Sequence, residues 1–180
     1  SSIRSLPGVL YAAQCAFYEG RFCKQSDAVV VSTELDASRL LKMSPDSPIH
    51  VIPDTVDCSA LLAPSRVSNP VEGNTLLLPV ALDHPSQTEG LVWFEEKVLP
   101  RLRSALGNKL PRILVASPAE ANPALASRLK QAGLEIRPKA ISLIPLLNES
   151  AIVLFPMKTS MRIQILEAMA SGRAVVATAK

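Results

Sequence analysis

One carboxylate set among apolar neighbours is the residue of this chain best suited to binding a sugar. Glu167 lies in the run Ile165-Leu-Glu-Ala-Met-Ala-Ser-Gly172, which has the composition of a helix that ends at Gly172. A carboxylate can accept two hydrogen bonds at once, so it suits the two hydroxyls of a sugar diol. The alternative is a charged helix residue that faces water, as most charged helix residues do, and composition and periodicity alone favour it.

The segments on either side of Glu167 predict where its side chain lies. Residues 152–155 form an apolar run that stops at Pro156, residues 160–171 have a helical pattern, and residues 174–178 form a second apolar run. Strand, helix and strand in this spacing are typical of a parallel sheet. Ligands of such sheets bind at the carboxyl ends of the strands, beside helix N-termini. The fold class predicted is α/β, a Rossmann-like parallel sheet flanked by helices.

The rest of the chain alternates in the same way. Hydrophobic periodicity predicts helices over residues 9–24, 34–43, 89–106, 122–132 and 143–148, and strands over residues 28–31, 49–52, 75–81, 112–116 and 134–137. Thr88 is predicted to cap the helix over 89–106, and Pro100 to kink or split it. Trp93 and Phe94 in that helix are predicted to pack in the core rather than to stack on a sugar. Residues 63–74, rich in Pro, Ser and Asn, predict a linker.

The bulk composition excludes several classes of protein. Hydrophobic residues make up 48% of the 180 residues and charged ones 19%, which excludes a disordered chain. The net charge of +3 without a basic run argues against nucleic acid as a partner. No apolar stretch is long enough to span a bilayer. Three cysteines without CxxC spacing and only two histidines argue against a disulfide framework or a metal site, and favour reduced thiols in the cytoplasm.

Four ordered motifs carry a resemblance to a known family. They are Ser26-Asp-Ala-Val-Val-Val-Ser32, Ile49-His-Val-Ile-Pro-Asp-Thr-Val-Asp57, Leu91-Val-Trp-Phe-Glu-Glu-Lys-Val-Leu-Pro-Arg-Leu102 and Ile165-Leu-Glu-Ala-Met-Ala-Ser-Gly172-Arg-Ala-Val-Val176. In this order and spacing they resemble the GT-B glycosyltransferases of the group 1 family, and in particular its bacterial polysaccharide sugar transferases. The resemblance implies that residues 1–48 are the tail of an N-terminal Rossmann-like domain. It implies that residues 49–180 form a C-terminal Rossmann-like domain that binds a nucleotide sugar and is truncated at its C-terminal end.

The resemblance also implies an activity for the full-length protein. A nucleotide sugar would give up its hexosyl group to a saccharide or lipid-linked acceptor, with retention of anomeric configuration, in polysaccharide biosynthesis. The nucleotide diphosphate sugar is a substrate, and neither a cofactor nor a metal is expected. Acceptors of this kind allow a peripheral membrane association of the full-length protein. The fragment by itself is not expected to catalyse transfer, and no catalytic residue is assigned, because the family's acceptor-side residues lie mostly in the other domain.

Five residues correspond to positions at which the family binds the donor nucleotide. Glu167 matches the glutamate that accepts hydrogen bonds from the ribose hydroxyls. Arg162 is placed to pair with the diphosphate or with a loop, and an ordinary surface arginine is the alternative. Thr159 and Ser160 stand where the family has glycines, and they can still cap a helix and donate hydrogen bonds. His84 stands where many relatives have an arginine and can donate to a phosphate; a solvated loop histidine is the alternative.

Several departures from the family pattern motivate a second hypothesis. Thr159 and Ser160 crowd a backbone that glycines would leave open. Gln164 stands where the subgroup commonly has a lysine, and Glu89 where many relatives have one, so that cations expected near a diphosphate are missing. The second hypothesis is therefore a non-catalytic GT-B-like scaffold or partner-binding domain that has lost donor-site residues. A flavodoxin-like or response-regulator domain is a third alternative, but it does not account for the motif around Glu167.

Overall fold

The structure, a computed structural model, describes residues 6–61, 74–157 and 163–178. The chain divides into two compact units, Ser1–Thr55 and Val56–Lys180. The predicted domain boundary follows residue 48, and the two compact units divide after Thr55. The predicted linker over residues 63–74 falls, apart from Asn74, outside the described residues.

The first unit is built from two helices and two short strands. They are α1 (Leu6–Gln25), β1 (Val29–Val31), α2 (Glu34–Met43) and β2 (Ile49–Val51). Strands β1 and β2 pair in parallel. Helix α2 begins where predicted, because the Thr33 hydroxyl accepts a hydrogen bond from the Asp36 backbone N–H at 3.0 Å.

The second unit contains a five-stranded parallel sheet. Its first half comprises α3 (Cys58–Leu61), β3 (Thr75–Pro79), α4 (Pro85–Trp93), a π-helical segment (Phe94–Val98), α5 (Leu99–Leu106) and a 3-10 turn (Gly107–Lys109). Its second half comprises β4 (Arg112–Ala116), α6 (Pro123–Gln131), β5 (Glu135–Arg137), α7 (Ile144–Asn148), β6 (Ile152–Phe155), α8 (Ile163–Ala170) and β7 (Ala174–Ala177). The strand order is β5-β4-β3-β6-β7, and every neighbouring pair is parallel. The predicted Rossmann-like α/β class is confirmed.

The topology of this sheet determines where a ligand can bind. From β3 the chain moves to β4 and β5 on one side, and it later continues through β6 and β7 on the other side. Because parallel crossovers are nearly always right-handed, this reversal leaves a crevice beside the carboxyl end of β3. All five residues of β3 are buried, and Leu77, Leu114 and Val153 on the three central strands have no exposed surface. Burial on both faces explains why these strands are continuously apolar.

The helical region after β3 differs from the prediction at its start. Helix α4 begins at Pro85 with His84 at the N-cap position, four residues earlier than predicted. A proline in the first turn is preorganised for a helix and needs no N–H there. The predicted capping role of Thr88 is therefore wrong. Thr88 lies inside the helix, and its hydroxyl donates to the Leu82 carbonyl at 3.3 Å.

Pro100 splits the long helix, as predicted. A π-helical segment separates α4 from α5, and Pro100 follows it in the first turn of α5, so the regular α-helical hydrogen bonding is interrupted next to the residue that lacks an N–H. Phe94 is 2% exposed, which confirms its core prediction, whereas the same prediction for Trp93 is wrong because 46% of that residue is exposed. The extra residue of the π turn rotates neighbouring positions off the single stripe expected for a continuous α-helix.

Two further sequence expectations concern the cysteines and the membrane. Cys15, Cys23 and Cys58 are free thiols. Across the described ranges, no helix combines the length and the apolar character needed to cross a bilayer.

Candidate functional site

A cleft of ≈ 400 Å³ opens at the carboxyl edge of the five-stranded sheet. This volume falls within the range of typical small-molecule sites. The lining includes the ends of β3 and β4, the first turn of α4, the loop after β5 and the first two turns of α8, represented by Pro79, Ala116, Gln87, Ser142, Gln164 and Glu167. The cleft thus occupies the crevice that the reversal of strand order predicts.

Glu167 contributes a half-buried carboxylate to the wall of this cleft. Ile163, Gln164 and Glu167 line the cleft together, since residues three and four apart share a helix face. The neighbouring residue Ala168 is completely buried against the core. Burial raises the pKa of Glu167 above its ordinary value. Among the described residues no donor or cation pairs with its carboxylate. The group is thus a partly desolvated acceptor without a partner in the part of the chain that the structure describes.

Gln87 is a cleft residue that the sequence analysis missed. It is 5% exposed, and its Oε1 accepts a hydrogen bond from the Ala81 backbone N–H at 2.7 Å. Gln87 is the third residue of α4, the position at which Glu or Gln side chains commonly turn back to a preceding backbone N–H. The sequence indicates this role of Gln87 once Pro85 is recognised as the first residue of the helix.

Ser117 is a second residue that the sequence analysis missed, and it joins the loops beneath the cleft. This fully buried hydroxyl accepts from the Leu82 N–H, beyond β3, and from the Ala119 N–H, beyond β4, each at 3.1 Å. The Ser117 carbonyl accepts from the Ala140 N–H, in the loop after β5, at 2.9 Å. One residue thus ties three strand-end loops together, which preorganises this edge of the sheet. A lone serine after an apolar strand carries no sequence signal for that role.

Of the other predicted site residues, the structure describes His84, which lies away from the cleft lining. His84 is exposed at the N-cap of α4, its Nδ1 lies 3.1 Å from the Ser86 hydroxyl, and it does not belong to the cleft lining. Thr159, Ser160 and Arg162 lie outside the described residues. Glu167 is therefore the one predicted site residue that the described structure places in the cleft.

The described lining of the cleft carries no positive charge. Of the lining residues, Glu167 is the one with a formal charge, and the remainder are apolar or neutral polar. Across the described ranges, no group of three His, Cys, Asp or Glu side chains is arranged to hold a metal ion. The chemistry that this part of the cleft offers is hydrogen bonding by one acid and neutral groups, together with apolar contact.

Comparison with known proteins relates this architecture to glycosyltransferases. No curated protein sequence matches the chain. Two similar solved structures are "Crystal Structure of TarM" (TM-score 0.70, 13% identity over 91% of this chain) and "Crystal Structure of Glycosyltransferase from Rickettsia africae ESF-5" (TM-score 0.61, 20% identity over 89% of this chain). The chain spans 32% and 46% of those two proteins, respectively. At these identities the likeness shows the fold alone, and it bears out the GT-B-like architecture.

The sequence comparison goes further, because a family model matches most of the second unit. The family is described as "Glycosyl transferases group 1", and its model matches residues 73–180, which is more than half of the chain. The predicted resemblance to the group 1 family is therefore confirmed. The chain belongs to the group 1 glycosyltransferases.

Proposed function

We propose that this cleft binds the nucleotide part of a nucleotide sugar, and that the full-length protein transfers the sugar to a saccharide or lipid-linked acceptor. The observation that carries the proposal is the Glu167 carboxylate, half-buried in a cleft at the ligand edge of the sheet and without a described partner. A half-buried acceptor without a donor is unfavourable, and a bound diol would supply two donors. The ribose of a nucleotide is such a diol.

The segment before α8 supplies the second part of the proposal. Thr159, Ser160 and Arg162 precede α8 directly in sequence, and their backbone N–H groups together with the Arg162 guanidinium suit a diphosphate. Exposed His84, at the start of α4, adds a further donor. These groups would stabilise the leaving nucleotide diphosphate, so that transfer with retention, as in related enzymes, needs no metal.

The proposal is tested by following the melting of the full-length protein with uridine diphosphate and with guanosine diphosphate. A ligand at a hundred times its Kd stabilises a protein by about 2.7 kcal/mol. Glu167→Ala removes an acceptor of charged hydrogen bonds, each of which contributes about 1.5–3 kcal/mol, so affinity for the bound nucleotide should fall about 10- to 100-fold. The melting temperature without ligand should change little, because the Glu167 side chain makes no hydrogen bond or ion pair with a described residue.

Glu149→Ala is the matched control. Glu149 follows α7 and precedes β6, so this exposed acid lies toward the amino edge of the sheet, away from the cleft. Its removal should leave nucleotide affinity unchanged. Equal nucleotide affinity in the Glu167→Ala variant and the parent protein would remove Glu167 from the site and the proposal with it.

The second candidate function is a non-catalytic domain that has lost donor binding. It is favoured by one observation: the described lining of the cleft has no Lys, Arg or His to neutralise a diphosphate. Glu89, at the family's lysine position, is exposed on α4 and does not line the cleft. Absence of any melting shift with either nucleotide at millimolar concentration would support this candidate over the first.

A further inference from the structure

The two residues that follow β6 are held from two sides. Pro156 and Met157 come directly after the strand, and both are buried. On one side they pack against α4, where a Cβ added to Gly90 would lie 3.1 Å from the Met157 Cα. On the other side Thr178, the residue that follows β7, donates its hydroxyl to the Met157 carbonyl at 2.9 Å. The backbone at Met157 is therefore fixed between a helix and the end of a strand.

The hydrogen bond from Thr178 extends the link between β6 and β7 beyond the sheet. The Thr178 backbone N–H donates to the Phe155 carbonyl at 3.2 Å, which is the last backbone bond between these two segments in the described part of the chain. Among the described residues no backbone N–H donates to the Met157 carbonyl. A buried carbonyl needs a donor, and the Thr178 hydroxyl supplies it. Thr178 also lines an apolar groove of ≈ 430 Å³ with Pro156 and Val176, and in such surroundings a hydrogen bond is stronger than in water.

The position of Met157 matters for the cleft because of the residues that follow it in sequence. Residues 158–162 connect Met157 to the start of α8, the helix that carries Glu167. They include the three residues to which the proposed function assigns the diphosphate, Thr159, Ser160 and Arg162. Each residue extends a chain by at most about 3.6 Å, so the fixed backbone at Met157 limits the positions that these groups can reach.

We propose that Thr178 is a positioning residue for diphosphate binding, because its hydroxyl fixes the Met157 carbonyl and thereby the start of the segment that binds the phosphates. This inference rests on the proposed function, which places the diphosphate at the segment before α8. Thr178 does not belong to the cleft lining, so it acts through Met157 rather than by touching the nucleotide. Its role is thus separable from that of Glu167, which is proposed to bind the ribose.

The discriminating variants are Thr178→Val and Thr178→Ser in the full-length protein. Valine has nearly the shape of threonine but no hydroxyl, whereas serine keeps the hydroxyl and loses a methyl group. Calorimetry measures the binding of uridine or guanosine diphosphate, whichever the parent protein binds, of inorganic pyrophosphate and of the matching nucleoside. In Thr178→Val the affinity for both phosphate-bearing ligands should fall about 3- to 10-fold, which corresponds to one neutral hydrogen bond. Affinity for the nucleoside should not change, and Thr178→Ser should bind all ligands as the parent does.

Ser150→Ala is the matched control. Ser150 precedes β6, is completely buried, and donates its hydroxyl to the Leu146 carbonyl at 2.6 Å. The control thus removes a hydroxyl-to-carbonyl bond at the opposite end of the same strand. It should lower the melting temperature at least as much as Thr178→Val does, and it should leave the affinity for every ligand unchanged. A loss of affinity in Ser150→Ala equal to that in Thr178→Val would mean that stability determines binding, and it would overturn the inference.

The outcomes separate this inference from the proposed function. If the parent protein binds neither nucleoside diphosphate and no pyrophosphate, both fall. If Glu167→Ala weakens binding of the nucleoside diphosphate but Thr178→Val does not, only the role of Thr178 falls. An equal loss for the nucleoside and its diphosphate, or a serine variant as weak as the valine variant, also overturns the inference. In either case the effect would not pass from the hydroxyl to the phosphate-binding segment.

Discussion

Helices α4 and α6 begin alike, yet only α6 is capped. Each follows a strand of the five-stranded sheet, and each has proline as its first residue. In α6 the Asn122 side chain accepts a hydrogen bond from the Leu125 N–H at 2.9 Å, whereas His84, the corresponding residue of α4, makes no such bond. Helix α4 borders the cleft and α6 contributes no lining residue. The uncapped start therefore coincides with the candidate site.

The difference indicates how α4 is held in place without a cap. Gly90, in the middle of α4, lies so close to the chain after β6 that a Cβ there would be 2.5 Å from the Pro156 carbonyl oxygen. The Gln87 side chain accepts a hydrogen bond from the Ala81 N–H, which lies before the helix, and so anchors the first turn of α4. Close packing and one side-chain bond thus position α4, and the Gln87 and Thr88 N–H groups of its first turn donate to the His84 carbonyl at 3.1 and 3.0 Å.

The largest effect is expected from Gly90→Ala, which breaks the packing of α4. The new Cβ would also lie 3.0 Å from the Met157 Cβ, and both neighbours belong to buried residues that cannot move aside freely. Overpacking of this kind costs about 1–3 kcal/mol, against a gain of up to about 1 kcal/mol from helix propensity. We expect a net loss in the free energy of unfolding, measured by urea denaturation.

Gly20→Ala in α1 is the matched control for this substitution. Its Cβ would meet nothing closer than 3.6 Å, which is ordinary contact with Met43. Helix propensity should therefore dominate, and the variant should be as stable as the parent or more stable by up to about 1 kcal/mol. If the two alanine variants had the same stability, close packing at Gly90 would not be what positions α4.

A smaller effect is expected from removing the residues at the two helix starts. Asn122→Ala loses a capping bond and should lower the free energy of unfolding by about 1 kcal/mol. His84→Ala loses no capping bond and should change it little. Thermal unfolding of both variants measures the difference. A cost for His84→Ala equal to that for Asn122→Ala would show that α4 is capped after all and would remove the contrast between the helices.

The sequence predicts the fold class and most of the elements, because those depend on short-range patterns. The strands over residues 112–116 and 152–155 and the helix over residues 34–43 have the predicted limits. The start of α4 differs from the prediction because Thr88 is itself a favourable capping residue, and the apolar periodicity, which begins at Leu91, does not extend back to Pro85.

The candidate site was predictable only where a motif accompanied it. Glu167 stands out as an acid within an apolar helix followed by Gly172. Ser117 has no such signal, and the signal of Gln87 depends on placing the start of α4 at Pro85. The roles of both residues arise from hydrogen bonds to Ala81, Leu82 and Ala119, groups that the fold brings to them. Polar residues that organise loops are identified by their partners, and partners are set by tertiary structure.

The smallest effect is expected on the pH dependence of the free energy of unfolding, and it contrasts a carboxylate in the cleft with one on the surface. Burial raises the pKa of Glu167, whereas hydrogen bonds from Arg112 lower the pKa of Glu135. Folded protein therefore holds a proton on Glu167 more readily than unfolded protein does, and the free energy of unfolding falls as the pH rises from the ordinary glutamate pKa through the raised one. Glu135 has the opposite sign, because its stabilisation is present above the ordinary pKa and is lost as the pH falls through the lowered one. Denaturation of Glu167→Gln and Glu135→Gln from about pH 3 to about pH 7 should give opposite slopes for the difference from the parent. Slopes of the same sign would mean that Glu167 has an ionic partner in the folded protein, and the cleft would then lack the free acceptor on which nucleotide binding is proposed to depend.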